Sequence, residues 1–258
     1  MTRLKKLFDA KSSKVLNVYC TAGYPTLGST LPIIAALENN GADLVEIGMP
    51  YSDPLADGPV IQESGAKAIE NGMSIEVLFD QLKSLRTTSN IPVVLMGYMN
   101  PVLQYGFEKF CTAAAAVGVD GLILPDMPAY EFEANYGAIV KKYGLDFIFL
   151  VTPETPTERI QYLDSLSSGF LYAVSASATT GSALNFDAVD AYLQKLKQMQ
   201  LINPILVGFG VKDAASFELA SRHTAGAIIG SAYIKALENS VDVTSTTAQF
   251  LSSVIGQK

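Results

Sequence analysis

Glu46 interrupts the short apolar run Asp43-Leu44-Val45-Glu46-Ile47-Gly48 with a charge. In a strand, alternation puts Glu46 on one face with Leu44 and Gly48. Turned toward a packed interior, its carboxylate loses hydration, and its pKa is expected to rise toward the range useful to a general acid or base at neutral pH. The competing reading is a structural carboxylate paired with a buried polar group. Residues 49–59 follow as a stiff loop with three prolines, Pro50, Pro54 and Pro59, and two aspartates, Asp53 and Asp57. Folded back over the interior, this loop would present Asp57 as a second carboxylate in a wetter setting, and two carboxylates in unlike environments can divide acid and base roles. Asp57 before a glycine is also an ordinary turn pair.

A second constellation comes late in the chain: Thr179-Thr180-Gly181-Ser182, Gly208-Phe209-Gly210 and Gly230-Ser231. Glycine lets backbone N–H groups approach an anion closely, and a helix starting at Ser231 would add its positive dipole end. Such a cradle for a phosphate needs no Lys or Arg, although any single Gly pair is usually a turn. The inventory argues against other chemistries. His223, the only histidine, sits in a polar stretch that reads as a solvated helix end. Lysines fall outside the strand runs, Lys14 and Lys212 only flanking them, so a Schiff-base nucleophile is not evident. Asp53, Asp57 and Glu63 are more readily turn and cap residues than cation ligands, and no metal is expected.

The elements that must position these residues alternate along the whole length. Eight β-branched, apolar runs occur at residues 16–20, 43–48, 92–97, 121–125, 146–151, 170–175, 204–208 and 225–230. Amphipathic stretches lie between them at 28–40, 74–86, 106–117, 131–143, 156–167, 186–199 and 212–222. Ser74 before Glu76, Thr155 and Pro156 before Glu158, and Asp187 mark helix starts. Eight strand and helix pairs suggest closure into a single (β/α)8 TIM barrel with extra short helices, one domain over residues 1–258, whose site lies at the carboxyl ends of its strands. The rival, an open doubly wound sheet, normally carries a Gly-rich fingerprint after its first strand, and Tyr19-Cys20-Thr21-Ala22-Gly23 is not one.

Composition agrees with that class. The 258 residues are 49% hydrophobic and 17% charged, enough to bury a large core. A net charge of -7 argues against a nucleic-acid partner. Apolar runs are far shorter than the roughly 20 residues needed to span a bilayer. Cys20 and Cys111 have no metal-like spacing, and no cationic, apolar leader precedes Leu16, which points to the cytoplasm.

The stretch from Leu44 through Glu46, Pro50, Asp53 and Asp57 to Gln62 closely resembles the signature of the tryptophan synthase alpha subunit family. Leu124-Pro125-Asp126-Met127-Pro128, the Thr180-Gly181 loop, Gly208-Phe209-Gly210-Val211 and Gly230-Ser231-Ala232 extend the likeness over nearly the full chain. The resemblance implies retro-aldol cleavage of indole-3-glycerol phosphate to indole and glyceraldehyde 3-phosphate. Glu46 and Asp57 are then catalytic: Glu46 moves protons at indole C3 and the side-chain hydroxyl, while Asp57 accepts from the indole N–H. Tyr19, Met96, Tyr98, Ile123, Tyr172, Thr180 and Phe209 match substrate positions, each with barrel packing as the alternative, and Gly181, Gly210, Gly230 and Ser231 match the phosphate site. Pro50, Asp53, Asn100 and Pro128 match the contact with a beta subunit in an alpha2-beta2 heterotetramer. Pyridoxal phosphate is expected in that partner and no cofactor in this chain. One departure stands out: residues 175–181 lack the Gly often found two residues before the Thr-Gly pair, which bears on closure of that loop. Another phosphate-binding barrel lyase or isomerase, or a catalytically weak activator of a beta subunit, are the alternatives.

Overall fold

Parallel strands covered on both faces must be apolar almost throughout, and the runs read from the sequence have that character. In the computed structural model, which describes residues 2–174, 186–208 and 210–256 (for Phe186 the backbone only), they form one sheet of parallel strands. These are β1 (Val15–Thr21), β2 (Leu44–Gly48), β3 (Val93–Met96), β4 (Gly121–Ile123), β5 (Asp146–Phe147), β6 (Leu150–Val151), β7 (Leu171–Val174), β8 (Ile205–Gly208) and β9 (Gly226–Ile229). The order is β5-β4-β3-β2-β1-β9-β8-β7-β6. Its two ends are halves of the single run 146–151. The Ile148 N–H donates to Leu122 at 3.0 Å on one side, and Phe149 accepts from the Tyr172 N–H at 3.0 Å on the other. One strand thus serves both edges, and eight runs close into a barrel.

Strands paired in parallel register point neighbouring side chains to the same face. Val15, Leu44, Val94, Ile123, Ile148, Phe170, Leu206 and Ile228 accordingly fill the interior as one cluster. A helix that the sequence reading did not include, Arg3–Ala10, stoppers the amino-terminal end. Thr2 caps it by accepting from the Lys5 N–H at 3.2 Å, and Leu4, fully buried, joins the interior cluster with Leu7 and Phe8 packed behind. Arg3 anchors it to the Asp120 carboxylate at 3.0 Å.

The outer helices follow the amphipathic stretches, with local breaks. Residues 74–86 divide into Ile75–Leu82, capped by Ser74, and Leu85–Thr88. Residues 131–143 include a widened turn, Phe132–Tyr136, where the Gly137 N–H reaches back to the Phe132 carbonyl. Besides Arg3–Ala10, four longer helices among the described residues lie outside the stretches read as amphipathic: Pro59–Glu70, Met99–Tyr105, Ser231–Leu237, whose start at Ser231 was anticipated, and Val243–Ile255. The first two follow β2 and β3 and form the wall around the carboxyl-terminal mouth.

Candidate active site

The register places Glu46, in the middle of β2, between Tyr19 on β1 and Val94 on β3. All three face the interior, and Glu46 is 1% exposed. Burial pushes its pKa up to about 8, a hydrogen bond from Asn17 opposes the rise, and the charge of Asp57 adds to it. The Asn17 Nδ2 donates to Glu46 Oε2 at 3.0 Å within the core. At neutral pH the carboxyl is therefore largely protonated: an acid held in store, as the sequence led us to expect.

Asp57 arrives on the loop after β2, and its position is built from short-range bonds. The Asp57 N–H donates to Pro54 at 3.1 Å and the Leu55 N–H to Asp53 at 2.9 Å, folding the loop into tight turns. Gln62, one turn into the helix Pro59–Glu70, reaches back and donates to the Pro54 and Asp57 carbonyls at 3.2 and 2.8 Å. The Tyr98 hydroxyl accepts from the Ala56 N–H at 3.1 Å and donates to the Asp57 carboxylate. Burial raises the Asp57 pKa, and that phenol pulls it back. Tyr98 itself is pushed up to about 12 by burial and by Asp57, so it remains a donor. Glu46 is enclosed and largely protonated, whereas Asp57 is only half-buried and takes from Tyr98 a hydrogen bond that favours its charged form.

Two tyrosines complete the enclosure because two inward positions are glycine. A Cβ on Gly48 would sit 1.9 Å from the Tyr19 hydroxyl, and one on Gly208 would sit 2.6 Å from the Tyr172 ring. Tyr19 also accepts from Thr21 Oγ1 at 3.5 Å. Burial, with the charges of Glu46 and Asp57, holds both phenols above their usual range, so both are neutral hydroxyls beside the carboxyls. Met96 ends β3 level with Gly48 and Ile123, and it and Ile123 pack with the interior cluster. The structure thus brings Glu46, Asp57, Tyr19, Met96, Tyr98, Ile123 and Tyr172 to one end of the barrel. Thr180, Gly181 and Phe209 lie outside the described residues. Gly210 is exposed beyond β8 with φ +35°. Gly230 follows β9 beside the Tyr19 side chain, and Ser231 opens the next helix there.

The rim residues are set apart from this interior. Asp53, Asn100 and Pro128 are exposed and Pro50 is half-buried. Asn100 donates to the Tyr51 hydroxyl at 2.9 Å, and Tyr51 stacks on Tyr98 with ring centres 5.3 Å apart, tying the rim to the loop that carries Asp57. Three exposed apolar side chains on the connections after β2, β3 and β4 escaped the sequence reading: Leu55 at 94%, Leu103 at 48% and Tyr130 at 66%. Asn17 was missed as well, since nothing in the sequence joins it to Glu46 except the register of β1 on β2. His223 differs from expectation: its side chain is 19% exposed, because Asp190 on the neighbouring helix packs against it with an Nε2 to Oδ1 distance of 3.2 Å.

Among the described residues, no cluster of His, Cys, Asp and Glu is placed to hold a metal, and no helix is long and apolar enough to cross a membrane. A cavity of about 600 Å3 beside Arg3, Lys6 and Asp120 lies at the stoppered end, and its Arg3 and Asp120 are already paired.

Residues 6–257 match the family described as Tryptophan synthase alpha chain. The Tryptophan synthase alpha chain of Parabacteroides distasonis is 48% identical over 240 residues, 93% of each chain. That of Flavobacterium psychrophilum is 48% identical over 246 residues, 95% of this chain and 96% of the other. Tryptophan synthase subunit alpha from Legionella pneumophila str. Paris has a similar structure, with TM-score 0.89 at 33% identity over 98% of this chain and 97% of that one.

Proposed function

The chain belongs to the tryptophan synthase alpha chain family, and from that premise we propose that Glu46 and Asp57 are its catalytic pair. It is an indole-3-glycerol-phosphate lyase of L-tryptophan biosynthesis, cleaving its substrate to indole and glyceraldehyde 3-phosphate. The observation that carries the assignment of the pair is a buried carboxyl with a pKa of about 8 within the electrostatic reach of a second, half-exposed carboxyl.

In the proposed sequence, protonated Glu46 delivers its proton to indole C3, which leaves the ring positively charged. Asp57, ionised, accepts a hydrogen bond from the ring N–H and stabilises that charge. The Glu46 carboxylate then takes the proton of the substrate hydroxyl. As the new carbonyl forms, the bond to C3 breaks and its electrons return to the ring, so that indole leaves and Glu46 regains its proton. Tyr19, Met96, Tyr98, Ile123, Tyr172, Thr180 and Phe209 are proposed to surround the indole and glycerol portions. Gly181, Gly210, Gly230 and Ser231 are proposed to hold the phosphate with backbone N–H groups, in keeping with an acidic chain that places no cation in the described site.

The partner is the tryptophan synthase beta subunit, which holds pyridoxal phosphate, and the alpha chain needs no cofactor of its own. We place the contact at Pro50, Asp53, Asn100 and Pro128, where Leu55, Leu103 and Tyr130 leave apolar surface in water. The assembly is read as an alpha2-beta2 heterotetramer in the cytoplasm, the whole chain acting as one barrel domain. The deciding experiment measures indole release from indole-3-glycerol phosphate by wild type, Glu46→Gln and Asp57→Asn, with and without the beta subunit. Both variants are expected to fold and to lose nearly all turnover. Unchanged turnover in either refutes the pair, and beta-subunit binding without turnover by the wild type makes the chain an activator instead.

A further inference from the structure

The side chain bonded to the Glu46 carboxyl lies outside the signature stretch. Asn17 is in the middle of β1, fully buried, two residues before Tyr19 and therefore on the same inward face. Its Nδ2 donates to Glu46 Oε2 at 3.0 Å, while its Oδ1, also buried, has no hydrogen-bond partner among the described residues. Packing does not explain this amide: leucine has nearly the same shape and would leave no stranded oxygen. The titratable groups coupled to Glu46 are Asp57 on the loop after β2, Tyr19 and Cys20 on β1, and Tyr172 on β7. None is cationic, so among these neighbours Asn17 is what favours the ionised form of Glu46.

We propose that Asn17 is a positioning residue of the cleavage reaction, which fixes Glu46 Oε2 and stabilises the carboxylate that exists between proton delivery to C3 and proton recovery from the hydroxyl. The proposal rests on the reading of Glu46 as the proton carrier. An amide suits the task because it serves both protonation states: its NH2 donates to the carboxylate, and after a half-turn its oxygen accepts from the acid. The unpartnered Oδ1 is the atom that this half-turn presents to Glu46.

The test follows kcat and KM for indole release in the complex with the beta subunit, from roughly pH 5.5 to 9.5, for wild type, Asn17→Leu, Asn17→Asp and Glu46→Gln. Asn17→Leu is expected to lose about tenfold or more in kcat with KM changed less than about twofold, and its high-pH limb to move up by about one unit or more, because a donor to the charged form is gone. Asn17→Asp, nearly isosteric, sets a second carboxyl against Glu46 and is expected to move that limb further in the same direction; it decides alone if Asn17→Leu fails to fold. Wild-type kcat and limbs in the Asn17 variants, with Glu46→Gln inactive, overturn the role of Asn17 alone. An active Glu46→Gln overturns both this role and the reading beneath it.

Discussion

Glu46→Gln changes stability in a way that depends on pH, and the structure fixes the sign. In the folded protein the Glu46 carboxyl keeps its proton up to about pH 8, whereas its ordinary value is 4.5. Between those values folding takes up a proton, so the stability of the wild type falls as pH rises through the window, by about 1.4 kcal/mol per unit. Glu46 is 1% exposed, so solvent screening does not reduce the effect. Integrated from pH 5 to 8, the wild type loses about 3 to 4 kcal/mol from this group, a large share of the total stability of a domain. Glutamine has the shape of the protonated acid and no proton to lose. The variant is therefore expected to match the wild type near pH 5 and to exceed it increasingly up to pH 8, beyond which the gap levels off. Urea unfolding of both proteins at several pH values, with the slope of the transition checked for constancy, measures the gap. A gap that stays flat from pH 5 to 8 refutes the claim that burial holds the proton on Glu46.

Three further substitutions probe the supporting geometry. Tyr98→Phe removes the donor to Asp57 and the acceptor of the Ala56 N–H; kcat is expected to fall roughly 10- to 100-fold and the low-pH limb to move upward, because Asp57 then holds its proton more tightly, and an unchanged pH-rate profile speaks against that role. Gly48→Ala puts a methyl group 1.9 Å from the Tyr19 hydroxyl; displacement of the ring is expected to destabilise the fold by about 1 to 3 kcal/mol and to raise KM, measured by thermal unfolding and steady-state kinetics. Leu4→Ala empties the fully buried anchor of the first helix and is expected to cost about 2 to 5 kcal/mol while the folded fraction keeps its kcat, a separation that active-site titration resolves.

The barrel was legible because its strands are written twice, as apolar runs and as gaps of helical length between them. Even the run 146–151, which bonds β4 with its first half and β7 with its second, reads correctly as one strand. Glu46 was legible for the same reason: a charge at an inward strand position is conspicuous. Asn17 was not, since a lone amide in an apolar run gains meaning only when β1 is laid against β2 in register. The clamp by Gln62 and the room left by Gly48 and Gly208 likewise depend on contacts between distant elements. The helix Arg3–Ala10 carries Leu4, Leu7 and Phe8 at helical spacing, yet it is short and rich in lysine, and its apolar edge has a purpose only beneath a barrel that needs a floor. The helix Val243–Ile255 is crowded with Ser and Thr, residues of modest helix propensity, and owes its place to packing and to the bond between Tyr233 and Thr247 at 2.6 Å.

Among the described residues, that floor closes one end of the interior. Leu4, backed by Leu7 and Phe8, stops passage toward the amino-terminal face. A small molecule formed beside Glu46 is kept from that face, so whatever covers the opposite end governs its departure.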